Sequence, residues 1–202
     1  MNIVNVGYLS CNYYLIEQNR KGLLIDVGWP GTLPKLSAGL RRKGMVLEDL
    51  GYLCITHYHP DHAGLVQELK NKGVRHIVLE QQLPALSRLK TYMQSHLGYV
   101  DIRLQDSLIL ETSESRAWME SLGLSGEILS TPGHSDDSIS LVLDEGIAFT
   151  GDLVPSEMLE GNDAAAAERS WAKLRGLNVR TVYPGHGPDR KMPGSSPGNK
   201  EY

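Results

Sequence analysis

At 202 residues the chain has room for one domain, or at most two small ones. Its 41% apolar and 22% charged residues suit a soluble globular protein with a proper core, and no apolar run approaches the roughly 20 residues needed to span a bilayer. A formal charge of −4 gives no general attraction to nucleic acid or to an anionic membrane.

The first residues, Met1 to Gly7, lack a basic region followed by an apolar core, so no signal peptide is expected and a cytoplasmic protein is. Ile3 to Val6, Tyr13 to Glu17 and Leu23 to Asp26 read as short strands separated by Gly, Ser and Asn turns. Cys11 and Cys54 belong to no Cys-x-x-Cys. They suggest neither a disulfide framework nor a zinc knuckle, and Cys54 reads as a core residue. Leu33, Leu36 and Leu40 with Gly44 beyond them predict a helix over Thr32 to Lys43. Its Arg41-Arg42-Lys43 end complements the helix dipole rather than forming an anion patch. A strand from Leu50 to Thr56 follows.

That strand runs into the stretch that organises the chain, His57-Tyr58-His59-Pro60-Asp61-His62, which sets three imidazoles and a carboxylate in six positions. Side chains two apart converge only on an extended backbone, and Pro60 disfavours helix at His59, so His57 and His59 are expected to point one way. Asp61 and His62 arrive at a turn, and Ala63 to Lys70 reads as a helix leaving it.

Further on, Ile77 to Leu79 is a strand. Leu83, Leu86, Leu89, Met93 and Leu97 fall at near-helical spacing, on a segment that faces the core and could also cover an active site or a dimer seam. Ser107 to Glu111 reads as strand and Ser113 to Leu122 as helix. Strands over Glu127 to Ser130, Ser138 to Leu143 and Ile147 to Thr150 deliver His134 and Asp152 at their ends. A helix over Ala164 to Leu174 precedes a strand, Val179 to Tyr183, that delivers His186. Loops at strand ends on a rigid scaffold are where ligands and catalytic groups collect. His76 and His96 read as surface or capping histidines. The domain is expected to span residues 1–187, with 188–202 a flexible tail.

The ordered pattern His57-x-His59-x-Asp61-His62, His134 after Thr-Pro-Gly, Asp152 after Gly and His186 between glycines closely resembles the metallo-β-lactamase superfamily from about Asn2 to Gly187. Alternating strands and helices already suggest two packed sheets with helices outside. The resemblance implies the four-layer αβ/βα sandwich, an α/β fold with the metal site at the edge between two mixed sheets. It further implies that His57, His59 and His134 bind one metal, that Asp61, His62 and His186 bind a second, and that Asp152 bridges them. Imidazole and carboxylate suit zinc, iron or manganese, with zinc first, and no thiolate is expected in the set to select softer metals. Two metals about 3.5–4 Å apart can share a hydroxide, so a nucleophile exists without Ser or Cys, and Asp61 could move its proton.

Asp26 matches a family position that supports the ligands, although it could simply cap a loop, and Thr56 and Thr150 carry the same ambiguity. β-Lactamases of the commonest type have no histidine at the place of His62 and a cysteine at that of Asp152, so β-lactam hydrolysis is not expected. Glyoxalase II enzymes share all seven ligands but add a basic C-terminal region, and similar thioesterases place an arginine shortly after the bridging aspartate, where Leu153 to Glu157 has none. The expected function is therefore dinuclear hydrolysis of a small ester, lactone, thioester or phosphodiester, with a mononuclear iron oxygenase resembling persulfide dioxygenase as the alternative. A metal-binding protein without catalysis is the minor third reading. Tyr58 or Tyr13 could offer a phenol to the substrate carbonyl. Trp29, Tyr58 and the loop from Leu153 to Asn162 either set specificity or merely pack.

Overall fold

The computed structural model describes residues 1–17, 21–158 and 164–192. Strands β1 (Asn2–Asn5), β2 (Tyr14–Glu17), β3 (Gly22–Ile25), β4 (Leu50–Cys54), β5 (Arg75–Leu79) and β6 (Leu108–Leu110) form one sheet in that order. The second sheet holds β7 (Gly126–Ser130), β8 (Ile139–Leu143), β9 (Ile147–Gly151), β10 (Thr181–Pro184) and β11 (Arg190–Lys191), in the order β11-β10-β9-β8-β7. Both sheets are mixed. β1 to β3 run antiparallel and β3 to β6 parallel, while β9 and β10 form a parallel pair inside an otherwise antiparallel sheet.

The layering follows from the period of two along each strand. On β2, Tyr14 and Ile16 point into the core between the sheets, whereas Leu15 points to the other side, onto the helices. On β3, Leu23 and Ile25 face inward and Leu24 outward; β4 repeats the alternation with Cys54 and Leu53. The outer face of the first sheet is covered by α1 (Leu33–Arg42), α3 (Val66–Lys70) and α4 (Leu83–Met93), through buried Leu36, Leu40, Val66, Leu69, Leu86 and Leu89. α5 (Ser115–Ser121) turns Met119 into the core between the sheets, and the outer face of the second is covered by α6 (Ala164–Gly176), through Ala167, Trp171 and Leu174 against Val142, Ala148 and Val182. Four layers result, and the expected αβ/βα sandwich is the observed one. Each fully buried Leu or Ile contributes roughly 1.5–3 kcal/mol, so three separate apolar layers give the site a stiff frame. Between the sheets, Phe149 is fully buried and stacks on Tyr183 at 5.2 Å while Tyr14 meets both rings.

The helix expected from Ala63 begins earlier. Pro60, whose missing N–H costs nothing in a first turn, opens α2 (Pro60–Ala63), so Asp61 and His62 lie on helical rather than turn backbone. The chain also does not leave the fold at Gly187. Arg190 and Lys191 pair with Val182 and Thr181, and Met192 is buried beside Trp171, because the edge of β10 still offers ladder groups to satisfy. The remainder of the expected tail, residues 193–202, lies outside the described residues.

Candidate metal centre

The ends of β3, β4, β9 and β10 meet the β7–β8 loop at one edge of the sandwich, and backbone hydrogen bonds lace them together. Val27 N donates to His62 O at 2.8 Å, Ile139 N to Thr56 O at 2.9 Å, and Gly185 N to Gly151 O at 2.8 Å. Buried Gln82, unremarked in the sequence, ties two of these loops by donating to Ile55 O at 3.0 Å and Asp137 O at 3.1 Å.

All seven predicted ligand residues converge here. His57 Nε2 and His134 Nε2 stand 3.1 and 3.0 Å from His59 Nδ1. Asp61 Oδ2 is 3.6 Å from His62 Nε2 and 3.2 Å from His186 Nε2, and those two nitrogens are 3.3 Å apart. Between the two sets, Asp152 Oδ2 lies 3.8, 3.4, 3.7 and 3.4 Å from the Nε2 atoms of His57, His62, His134 and His186. His57 and His59 do point the same way, as an extended His57 to His59 segment requires.

Hydrogen bonds behind the rings fix which nitrogen faces inward. The Thr56 hydroxyl donates to Asp26 Oδ2 at 2.7 Å, so its oxygen must accept from His57 Nδ1–H at 3.2 Å, leaving the lone pair of His57 Nε2 on the site. His62 Nδ1 donates to Asp26 Oδ2 at 3.0 Å and His186 Nδ1 to Ser10 O at 2.8 Å, so their Nε2 atoms also face the site. Asp26 Oδ1 also accepts from Thr56 N at 2.7 Å. Asp26 and Thr56 are therefore support for the ligands and not a simple loop cap. Asp26 adopts φ 60°, a left-handed conformation that Asp tolerates better than most residues. Thr150 is buried, and its hydroxyl donates to Gly151 O at 3.5 Å, with no bond to a histidine ring among the described residues.

Electrostatics separate the buried imidazoles. Burial, aided by the neighbouring histidines, holds His57 neutral well below the ordinary range. Burial opposes charge on His62 too, but Asp26 and Asp152 outweigh it and push its pKa up to about 10. The same His62 proton, against burial, lowers the pKa of Asp152. A site that gathers imidazole nitrogens and carboxylates in this way is built to take up a cation, whose binding displaces the proton held on His62. The buried Asp152 Oδ1 has no hydrogen-bond partner among the described residues, which is the signature of an acceptor meant for something other than protein. The donor set, borderline nitrogens with hard oxygens, fits a pair of divalent metals.

Two glycines are demanded by this crowding. A Cβ on Gly185 would collide with Asp152 Oδ1 and His62 Cε1, and one on Gly151, at φ +53°, would collide with the Thr56 hydroxyl.

Several expectations need correction. A thiol does accompany the ligands: Cys11 Sγ lies 3.3 Å from Asp61 Oδ2, and burial together with Asp61 pushes its pKa up to about 12. Cys11 is 50 residues from Asp61, and no metal-ligand spacing surrounds it, so the sequence offered no signal. Tyr58 is buried with its hydroxyl bound to His76 Nε2 at 2.7 Å, and Tyr13 is buried as well, so neither phenol is placed to greet a substrate. His76 is fully buried rather than a surface residue, its other nitrogen 3.1 Å from Ser107 Oγ, because the Tyr58 ring needs a polar partner inside the first sheet's outer layer. His96 is exposed, as expected, with its ring 6.1 Å from that of Trp29. Leu153 packs into the core beside Trp171, whose Nε1 donates to Val154 O at 2.7 Å, so the start of the loop expected to set specificity is structural. Residues 159–162 of that loop lie outside the described residues.

The centre opens onto a cavity of about 740 Å³ lined by His59, Asp61 and His134 on one side and by Arg88, Leu89 and Tyr92 of α4 on another. The amphipathic segment thus does flank the site.

The sequence model of the metallo-β-lactamase superfamily matches residues 6–186, nearly the whole chain. The chain belongs to the metallo-β-lactamase superfamily. Among its relatives, a hydroxyacylglutathione hydrolase of Rhodopseudomonas palustris is 31% identical over 188 residues, covering 90% of this chain and 64% of the relative. A probable metallo-hydrolase of Methanocaldococcus jannaschii is 30% identical over 193 residues, covering 90% of this chain and 89% of the relative. The expected enzyme class, a metal-dependent hydrolase of this superfamily, agrees with those names. The chain spans 56% and 64% of the length of the first two curated relatives it matches. A solved structure described as a di-iron-bound form superposes with a TM-score of 0.70 at 27% identity, covering 95% of each chain. A family member from Thermus thermophilus superposes at 0.71 with 23% identity over 94% of this chain and 73% of that one, a likeness of fold. No helix of the described residues is long and apolar enough to cross a membrane.

Proposed function

We propose that this superfamily member is a dinuclear hydrolase of a small ester, lactone, thioester or phosphodiester, with His57, His59 and His134 holding one divalent metal, Asp61, His62 and His186 the other, and Asp152 shared between them. The observation that carries the reading is Asp152 itself. One of its oxygens lies 3.4–3.8 Å from four imidazole nitrogens drawn from both sets, and the other has no partner among the described residues. When bound, such a metal pair supplies a hydroxide near neutral pH and an electrophilic clamp for the substrate oxygen that becomes negative.

The chain's own residues do the rest. Asp26, Thr56 and the Ser10 carbonyl hold three imidazoles with Nδ1 turned outward and Nε2 toward the site, so no ring must reorient before substrate arrives. Asp61 lies on the cavity wall, where its carboxylate can accept a proton from an attacking water and return it to a leaving group. Leu89 and Tyr92 give the cavity apolar and aromatic surface for an acyl or aryl group. Arg88 lies 3.5 Å from Asp137, close enough for a substrate anion to compete for it. The hydroxyacylglutathione hydrolase relatives keep acyl thioesters among the substrates to be screened.

Elemental analysis of protein purified without chelator or added metal tests the reading directly, and we expect about two equivalents per chain. His59→Ala should abolish hydrolysis in a screen of the four substrate types while the protein stays folded, and unchanged turnover would defeat the proposal. One equivalent of iron alone, with oxygen consumption, would favour the mononuclear oxygenase, for which His57, His134 and one Asp suffice.

A further inference from the structure

The second half of the centre contains a donor that the ligand pattern does not assign. Cys11 lies between β1 and β2, in a segment sewn onto the loop that carries His186. The two residues form an antiparallel bridge, Asn12 N donates to Gly185 O at 2.8 Å, and Asn12 Nδ2 donates to Gly187 O at 2.7 Å. The position of the sulfur relative to His186 is thus set by backbone pairing.

Cys11 is buried, and its Sγ is 3.3 Å from Asp61 Oδ2 and 4.0 Å from His186 Nε2. One donor atom from each of Cys11, Asp61, His62 and His186 falls within 4.8 Å of the others. Four donors around one tetrahedral zinc, at its usual bond lengths, would be separated by roughly 3.4 Å for nitrogen or oxygen pairs and roughly 3.6 Å where sulfur is one partner. The observed separations of 3.2, 3.3 and 3.6 Å among Asp61, His62 and His186, with 3.3 and 4.0 Å to the sulfur, bracket those values. The set of His57, His59 and His134 has no such sulfur beside it among the described residues.

We propose that the Cys11 thiolate is a fourth protein ligand of the metal held by Asp61, His62 and His186, which makes this half of the centre a sulfur, nitrogen and oxygen site favouring zinc or cobalt over manganese. The proposal rests on the dinuclear reading. On binding, the S–H bond would break, its proton would leave to solvent, and a sulfur–metal bond would form with no change of oxidation state. A thiolate donor is soft, which is why the choice of metal should change when it is removed.

The test is reconstitution of the metal-free full chain with Co(II), reading cobalt content and the near-ultraviolet spectrum together. We expect two cobalt ions per chain and an intense thiolate-to-cobalt band that disappears in Cys11→Ser and persists in Cys54→Ala. Chelator competition should show zinc at this site weakened by about 10–100-fold in Cys11→Ser, with manganese affected less. Two cobalt ions without the band, or a band that survives in Cys11→Ser, overturns the thiolate while leaving the dinuclear reading intact. One cobalt ion with a Cys11-dependent band keeps the thiolate and overturns the dinuclear reading. One ion without the band overturns both.

Discussion

The inner wall of the metal centre and its outer rim carry the same imidazole chemistry but are held in different ways. His57 and His62 are fully buried, and both are backed, directly or through Thr56, by Asp26. On the rim, the side chains of His134 and His186 are 28% and 38% exposed, and His186 leans on a single carbonyl, Ser10 O. The wall is therefore part of the fold's stability, whereas the rim is added to a fold that already stands. A ligand set can thus be split by what each member does when no metal is bound.

The strongest way to break this distinction is to remove Asp26. In Asp26→Ala the buried Thr56 N, Thr56 Oγ1 and His62 Nδ1 all lose their acceptor, and alanine must also hold a left-handed backbone angle. We expect the metal-free protein to lose about 3–5 kcal/mol, the scale for removing one partner of a buried charged network, read from urea midpoints. Asp26→Asn should recover much of the backbone preference but not the charge.

Next in size is the anchor behind the wall. Tyr58 stands between His57 and His59, its N–H donating to Asp137 Oδ2 at 2.7 Å and its hydroxyl bound to His76. Tyr58→Phe leaves a buried His76 nitrogen without a partner, which should cost about 1–3 kcal/mol. His76 also gives the wall a pH limit. Burial, aided by the charge of Lys70, depresses its pKa from 6.5 to about 3. The unfolded chain therefore takes up a proton that the folded one refuses. This contribution to stability is complete above about pH 6.5, falls by about 1.4 kcal/mol for each pH unit below it, and levels off only near pH 3. Urea midpoints from pH 7 to 5 should fall more steeply for the natural protein than for His76→Gln, and parallel slopes would remove His76 from the explanation.

The rim and the wall were not equally legible in the chain. The seven residues that converge at the edge of the sandwich could be singled out because each sits at a strand end or in a dense local motif, while their division between two metals came from the family resemblance. The layers could be predicted for the same reason, since alternation on β2, β3 and β4 is a local property. What escaped were partners brought together by tertiary pairing alone. Cys11 reaches Asp61 through the bridge to His186, Gln82 reaches two loops from another layer, and the burial of His76 depends on a tyrosine 18 residues away. Arg190 and Lys191 were read as tail because a two-residue strand has no periodicity to detect.

The smallest expected effect, that of His186→Ala on the metal-free protein, also gives the sharpest comparison, because it sets one proposed rim ligand against one proposed wall ligand of the same half of the centre. His62→Ala and His186→Ala each remove one Nε2 donor that lies 3.4 Å from Asp152 Oδ2. Their losses of metal should be alike, each leaving about one equivalent per chain. Their effects on the metal-free protein should not be. His62→Ala takes from Asp26 its imidazole donor and leaves it the two of Thr56, in a site closed to water, so the carboxylate loses compensation that solvent cannot supply. His186→Ala frees the Ser10 carbonyl beside an exposed ring, where water can replace the lost donor, and Asn12 still ties the two segments together. We expect His186→Ala to stay within about 0.5 kcal/mol of the natural protein without metal, the usual range for an exposed position. Equal destabilisation by the two variants would mean that the rim is as much a part of the folded core as the wall. Unequal stability with equal metal loss would show that this chain separates holding itself together from holding its metals.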